Sequence, residues 1–262
     1  MIIFIIFLAF IQALTEFLPV SSSAHILLIS KIINVDLLTK NNDIITIALH
    51  IGSLAAVMIF YRKEIFKMIT FKNITLLKNI VISFIPIALI GIMITVLNIK
   101  LPKSNMLMGT MLIFFGIILY VSDKFKKQEK SIENINFMDA LFIGMCQVLA
   151  LIPGVSRSGI TITAGRMIGL KRSSSIKYSL LLLIPTIGAS SIVLIYKLYK
   201  NTLSPIGTDL KLFTVIAIIL STIFSYFVLK IFVNISKKIT FTPFVIYRIL
   251  IGIIILIIFN KV

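Results

Sequence analysis

TEFLPVSSSAH (residues 15–25) places a glutamate, a proline, three serines and a histidine at the end of an apolar stretch, IIFIIFLAFIQAL (2–14). Proline cannot continue a helix, whereas serine is a preferred residue for starting one. Polar and charged side chains within apolar membrane segments are costly and indicate functional sites. The stretch therefore predicts a helix that is broken at Pro19, with a polar site at the break.

The whole chain has the composition of a helical membrane protein. Of its 262 residues, 59% are apolar and 13% are charged, and its mean hydropathy is +1.11. Six apolar runs are each long enough to cross a hydrocarbon core of ~30 Å as a helix. These runs are residues 44–60, 79–97, 105–121, 178–195, 212–229 and 243–259. Because the alternating segments of about ten residues typical of a membrane β-barrel are missing, we predict an all-α polytopic membrane protein.

The apolar N-terminus could be taken for a secretory signal peptide. It lacks a basic region and a convincing small-residue cleavage site, and Glu16 lies where apolar character should continue. We therefore expect these residues to belong to the folded protein.

The net charge of +17 raises the question of a nucleic-acid partner. The lysines lie in short loops between apolar runs, a pattern explained by membrane topology and anionic lipid, so we expect no nucleic acid. One set of loops carries about twice as many Lys and Arg as the opposite set, and the richer side is expected to be cytoplasmic. The richer loops are 62–78, 123–137, 171–177 and 230–240; the poorer ones are 31–43, 98–104, 197–211 and the C-terminal tail.

The chain resembles itself at an offset of about 135 residues. Val20-Ser21 corresponds to Val155-Ser156, and the Gly-Ile-Ile at 116–118 corresponds to that at 252–254. A nearly constant offset indicates two homologous halves, about 1–125 and 136–262.

Each half opens with a broken stretch, at 1–33 and 137–170, which we interpret as a re-entrant helix–loop–helix hairpin. Three spans follow in each half, at the six runs given above. Because three is an odd number, the second half should insert upside down, which gives two inverted-topology repeats. This architecture is common among transporters, so transport stays an alternative.

The first break carries residues suited to phosphate chemistry. Gln12 and Glu16 are four residues apart and share one helical face, while Ser22 and His25 follow the proline. A serine beside a histidine can act as a nucleophile with its acid or base, and a carboxylate can position a divalent metal on phosphate. The first break therefore predicts a hydrolytic site.

The second break, PGVSRSGIT (153–161), repeats the design with Arg157 in the first turn of its helix. Helix N-termini bind anions, and the planar guanidinium of arginine matches phosphate oxygens. Two such breaks meeting near a pseudo-twofold axis would form a concentrated anion site.

Structural explanations compete with these roles. Glu16 and Arg157 could form a buried ion pair that joins the two hairpins. Hydroxyl groups in membrane helices commonly bond to backbone or to neighbouring helices, and this applies to Ser23, Ser158 and Thr163. For His50, at the start of a span, a structural role is favoured. Arg166 and Arg248 either face the site or extend towards the interface, and Arg172 is expected at the cytoplasmic boundary.

QALTEFLPVSSSAH (12–25) and PGVSRSGIT (153–161) resemble the two signature motifs of the undecaprenyl-pyrophosphate phosphatases, the bacitracin-resistance family. YSLLLLIP (178–185) and FTPFVIYR (241–248) are similar to its later segments. The resemblance implies a membrane hydrolase that converts undecaprenyl diphosphate into undecaprenyl phosphate, recycling the lipid carrier for peptidoglycan synthesis. It also implies a divalent metal, magnesium or calcium, and a site that opens to the outer, periplasmic face of the inner membrane. A homodimer is one arrangement open to such a chain.

The resemblance also implies roles for individual residues. The catalytic residues would be Ser22, His25 and Glu16. The pyrophosphate would be bound by Arg157, Ser156, Thr161, Ser21 and Ser158. The metal would be held by Glu16 and Gln12. Many family members have glutamate where this chain has Gln12, and an amide cannot act as a base at neutral pH; Ala24 replaces a common glycine.

Three functions follow as hypotheses. In the first, Ser22 attacks the terminal phosphorus or orients the group that does, and His25 carries the proton. In the second, the protein moves a polyprenyl phosphate across the membrane without hydrolysis. In the third, it is a structural membrane subunit, which would leave the polar residues at both breaks unexplained.

Overall fold

The computed structural model describes residues 2–33, 36–102, 104–124, 129–201, 208–236 and 239–259. Within these residues the fold is helical, and its only extended pairing is an isolated bridge between Lys130 and Leu170. The α-helices are α1 (Ile2–Phe17), α2 (Ser22–Ile33), α3 (Asp36–Phe60), α4 (Arg62–Ile69), α5 (Ile74–Val96), α6 (Asn105–Lys124), α7 (Phe137–Val148), α8 (Arg157–Met167), α9 (Arg172–Asn201), α10 (Thr208–Ile235) and α11 (Thr242–Phe259).

The long helices confirm a polytopic membrane protein. Helices α5, α6, α9 and α10 are each long and apolar enough to cross a membrane, and the apolar part of α3 joins α4 across a bend of 78°. All six predicted runs are helical, but that part of α3 (Ile44–Phe60) and α11 are shorter than full spans. Most of the helices continue beyond their apolar runs into flanking polar residues.

Both predicted breaks separate two helices. At the first, the chain turns through residues 18–20, and Ser21 has a φ of 76° before α2 begins. At the second, a 3₁₀ turn at Leu149–Leu151 is followed by Gly154 with a φ of 93° and Ser156 with a φ of 71°. The Ser156 hydroxyl then accepts from the backbone N–H of Gly159 and caps α8. Residues 21 and 156 occupy corresponding places in the two breaks.

Each broken hairpin packs on neighbouring helices, and the two breaks are in contact. Helix α1 packs on α10, α7 packs on α5, and α8 lies between α6 and α9. The two breaks touch directly, because the Ser158 hydroxyl donates to the Leu18 carbonyl over 3.0 Å. Side chains from both breaks therefore face one region.

A buried charge network ties several helices together away from the breaks. The Asp123 carboxylate accepts from Arg166 Nε at 3.0 Å, Arg172 Nε at 2.8 Å and the backbone N–H of Phe241 at 3.1 Å. Arg166 is thus engaged with Asp123, at the opposite end of α8 from Arg157. Arg172 lies in the same network at the start of α9.

Candidate active site

A cavity of about 840 Å³ lies where the two breaks meet. One end is polar and the rest is lined by apolar side chains of α5 and α9. The polar end is formed by Glu16, Ser21, Ser22, Ser23, His50, Ser156, Arg157 and Ser158. The cavity therefore contains most of the site residues predicted from both halves of the chain.

Ser22 and Glu16 are joined in the cavity by a hydrogen bond. The Ser22 hydroxyl donates to Glu16 Oε2 over 2.8 Å, and the Gln12 amide donates to the same oxygen over 3.1 Å. Glu16 is the only carboxylate among the described residues that line the cavity. It is thus the group placed to accept a proton from Ser22.

Arg157 connects the second break to the first. Its Nη2 donates to Glu16 Oε1 over 2.9 Å, and its Nη1 donates to the Ser179 carbonyl over 3.1 Å. The Glu16–Arg157 ion pair considered from the sequence is therefore present. The Nε of Arg157 is buried and has no hydrogen-bond partner among the described residues.

The serines have matching arrangements at the two breaks. Ser21 and Ser23 place their hydroxyl oxygens 3.3 Å apart, and Ser156 and Ser158 place theirs 3.2 Å apart. Each pair lies beside the N-terminus of a helix, α2 or α8, where backbone N–H groups lack intrahelical acceptors. Both helix starts can therefore donate to an anion in the cavity.

Three of the predicted site residues, Gln12, His25 and Thr161, do not line the cavity. The Nδ1 of His25 donates to the Ser21 carbonyl at 2.7 Å, so its Nε2 accepts from the Tyr247 hydroxyl, also at 2.7 Å. Both ring nitrogens of His25 are thus engaged away from Ser22. The Thr161 hydroxyl bonds to the Arg157 carbonyl and to the Ser179 hydroxyl, which places it behind Arg157.

His50 is a cavity residue for which the sequence favoured a structural role. Its Nδ1 lies 2.9 Å from the Gln12 amide nitrogen and 3.4 Å from Glu16 Oε2. His50 Nδ1 therefore faces both the Gln12 amide and the Glu16 carboxylate. His50 is far from the first break in sequence. The only sequence feature that points to a role in the site is that the chain has just two histidines.

Glu16 and Gln12 provide oxygen donors that suit a hard divalent cation. The Oε1 of Gln12 is buried and has no hydrogen-bond partner among the described residues, and it belongs to a side chain that contacts Glu16. No group of three or more His, Cys, Asp or Glu side chains occurs in the described part of the chain. This donor set fits a cation such as magnesium, which binds through one or two protein oxygens together with substrate phosphates and water.

The chain is similar to known proteins along nearly its whole length. The family model described as bacitracin resistance protein BacA matches residues 5–254. An undecaprenyl-diphosphatase of Pelagibacter ubique is 40% identical over 98% of this chain and 97% of its own length. An undecaprenyl-diphosphatase of Campylobacter curvus is 35% identical over 98% and 99% of the two chains, and undecaprenyl-diphosphatase 2 of Stutzerimonas stutzeri is 33% identical over 98% of each. The chain therefore belongs to the bacitracin resistance protein BacA family.

Proposed function

We propose that the protein hydrolyses undecaprenyl diphosphate to undecaprenyl phosphate and inorganic phosphate, an activity that confers bacitracin resistance. The names of its relatives favour this phosphatase over a transporter. The observation that carries the proposal is the contact of Ser22 and Arg157 with the two oxygens of Glu16, in a cavity that continues between apolar helices. A nucleophile, a base and a phosphate-binding group are thus combined beside a lipid-accessible groove.

The apolar part of the cavity suits the polyprenyl chain of this substrate. It runs between α5 and α9 and is lined by residues such as Ile87 and Ile187. Its outer lining includes Ile92, Val96 and Ile192, which are 60%, 70% and 69% exposed on membrane-spanning helices. The groove therefore opens sideways, towards the hydrocarbon of the bilayer. The polyprenyl chain of the substrate can remain in an apolar environment while the diphosphate head group enters the polar end.

The diphosphate head group would be bound by both breaks together. The starts of α2 and α8 offer backbone N–H groups and hydroxyls, and Arg157 offers a positive charge with an unpartnered Nε. The diphosphate would also compete with Glu16 for the guanidinium of Arg157. Substrate binding would then loosen the ion pair and leave the Glu16 carboxylate free to act on Ser22.

In the chemical step, the Ser22 oxygen attacks the terminal phosphorus while its proton passes to Glu16. The bond between that phosphorus and the bridging oxygen breaks, and undecaprenyl phosphate leaves with the bridging oxygen. Water then hydrolyses the phosphoserine and releases inorganic phosphate. His25 is already bonded through both ring nitrogens, so we assign it to holding the Ser21 carbonyl rather than to carrying the Ser22 proton.

A divalent cation, if bound, would be held by Glu16 and the Oε1 of Gln12. Its chemistry would be to withdraw charge from the phosphate oxygens. The same cation could offset the negative charge that the head group brings into the site.

We further infer that the fold consists of two inverted repeats, each with a re-entrant hairpin and three spans, divided at 1–125 and 136–262. Helix packing supports this division: at the offset of about 135 residues, α1 corresponds to α7 and α10 to α5, and α1 packs on α10 as α7 packs on α5. Similarly, α3 packs on α10 as α9 packs on α5.

We expect the site to open to the periplasmic face of the inner membrane. A homodimer is compatible with this arrangement.

Phosphate release from a polyprenyl diphosphate by the purified protein tests the function. The wild-type chain should release inorganic phosphate, and chelation of divalent cations should reduce the rate. Ser22→Ala should abolish release, whereas Thr110→Ala, on an exposed face of α6, should leave it unchanged. No release by the wild-type chain under any metal condition would favour the transporter. Full activity of Ser22→Ala would exclude Ser22 as the nucleophile.

A further inference from the structure

Arg248, on α11, is a buried arginine whose partners are backbone carbonyls. The residue is 1% exposed, and the salt bridges found among the described residues do not include it. Its Nε donates to the Leu112 carbonyl of α6 over 3.2 Å. Its two terminal nitrogens donate to Pro19, Gly154 and Val155 over 3.0–3.1 Å. A buried cation without an acidic partner is costly, so this arrangement calls for a specific role.

Three of the four carbonyls that Arg248 binds belong to the two breaks. Pro19 lies two residues before Ser21, and Val155 lies immediately before Ser156. Both serines have φ values in the left-handed region, 76° and 71°, which residues other than glycine rarely adopt. Such conformations persist only where the surrounding structure imposes them. One guanidinium thus anchors the backbone that leads into both strained turns.

These turns determine where the reacting groups lie. Ser22 directly follows Ser21, and Arg157 directly follows Ser156. A rotation of either turn would move Ser22 or Arg157 relative to Glu16, which contacts both. We propose that Arg248 is a positioning residue that holds the two breaks in register, so that the Ser22 nucleophile and the Arg157 phosphate-binding group meet across Glu16.

Lysine cannot replace arginine in this role. Its ammonium offers donors from one atom, whereas the guanidinium reaches carbonyls in several directions from a rigid plane. Arg248→Lys keeps the charge and most of the side-chain volume but should lose part of the carbonyl set. Because a misplacement of about 1 Å can cost about 100-fold in rate, we expect kcat to fall by about 100-fold, with KM changed by less than about fivefold.

A pair of glycine variants perturbs Arg248 without removing it. A Cβ at Gly159 would lie 2.6 Å from Arg248 Nη1, its tightest contact, and 3.1 Å from the Cβ of Ser156, so Gly159→Ala crowds both the guanidinium and the turn that it anchors. A Cβ at Gly116 would lie 3.4 Å from the Cβ of Arg248, an ordinary contact, so Gly116→Ala is the matched control. We expect kcat to fall at least about tenfold in Gly159→Ala and to stay within about twofold of wild type in Gly116→Ala.

The inference rests on the proposed phosphatase activity, and the experiment separates the two. Phosphate release, kcat, KM and thermal unfolding in detergent are measured for the wild type, Arg248→Lys, Gly159→Ala, Gly116→Ala and the double variant Gly159→Ala/Arg248→Lys. Arg166→Lys serves as a control for the loss of a buried guanidinium, since Arg166 bonds to Asp123. It should lose thermal stability but keep kcat within about threefold.

The double variant gives the decisive comparison. If Gly159→Ala acts through Arg248, the shorter lysine removes the clash and the double variant should be no slower than Arg248→Lys alone. Rate losses that multiply, or an Arg248→Lys kcat within threefold of wild type, would overturn the positioning role. If Arg248→Lys does not fold, normal turnover by Gly159→Ala would overturn it instead. An inactive wild type would refute the proposed function rather than the role of Arg248.

Discussion

Replacing Glu16 with glutamine tests the proposed role of its carboxylate while leaving the side-chain shape nearly unchanged. The carboxylate accepts from Ser22 at 2.8 Å, Arg157 at 2.9 Å and Gln12 at 3.1 Å. Glutamine keeps the volume but removes the charge, and its amide nitrogen must face one of these donors. The change should therefore affect both the reaction and the stability of the fold.

The burial of the pair sets the size of each effect. The side chains of Glu16 and Arg157 are 5% and 12% exposed, so their ion pair is a buried one. Removing one partner of a buried pair costs about 3–5 kcal/mol, because the other charge is left uncompensated. Removing a general base lowers the rate by about 10²–10⁴-fold. We expect a Glu16→Gln protein that folds, unfolds at a lower temperature and is slower by at least 100-fold.

Two measurements check these values against a matched control. Phosphate release gives kcat, and thermal unfolding in detergent gives stability. The control is Glu64→Gln, because Glu64 pairs with Lys177 at 3.1 Å but both side chains are about one-third exposed. An exposed pair contributes about 0–1 kcal/mol, so the control should match wild type in both assays. A Glu16→Gln protein that retained more than a tenth of wild-type turnover would refute Glu16 as the base, and one as stable as Glu64→Gln would refute the buried pair.

Three further substitutions have definite expected outcomes. Arg157→Lys should lower kcat/KM by about 100-fold, because an ammonium cannot reproduce the planar guanidinium that bonds both Glu16 and the Ser179 carbonyl. Near-normal steady-state kinetics would show that Arg157 has only a structural role. Gln12→Glu should retain turnover within about tenfold and bind divalent cations more tightly, because it adds a carboxylate where the Gln12 amide lies 3.1 Å from Glu16. Chelator titration measures the change in cation affinity, and complete inactivation would show that the neutral amide is required. Asp123→Asn should lower the free energy of unfolding by about 3–5 kcal/mol, since it removes the carboxylate that compensates the buried Arg166, while KM stays near the wild-type value. A raised KM with unchanged stability would contradict a purely structural network.

The local chemistry of the two breaks could be predicted from the sequence. Pro19 and the following serines dictate a helix end and a helix start, and Arg157 follows the same pattern one repeat later. These are short-range effects of backbone geometry and capping, so they are readable from a few residues. The repeat offset pairs the two breaks, so the sequence also predicts that Ser22 and Arg157 lie in one region, where both bond to Glu16.

The contacts made by single side chains across the fold could not be predicted. His50 reaches Gln12 because α3 packs beside α1, and periodicity does not reveal which helices become neighbours. His25 follows Ser22 closely in sequence, yet its ring bonds to Tyr247 from the far end of the chain. Arg248 was recognisable as a charge in an apolar run, but its four carbonyl partners come from three separate segments. Such contacts depend on tertiary packing rather than on local pattern.

The proposed opening of the cavity between α5 and α9 towards the bilayer determines how the substrate concentration must be expressed for this protein. A substrate that enters from the bilayer is encountered by diffusion in two dimensions, so its mole fraction among the lipids governs the rate rather than its amount per volume of solution. Diluting the substrate with inert lipid should slow turnover even when enzyme and substrate totals are fixed. Adding buffer, by contrast, should leave the rate per protein unchanged. The groove lined by Ile92 and Ile192 thus makes lipid composition a direct kinetic variable.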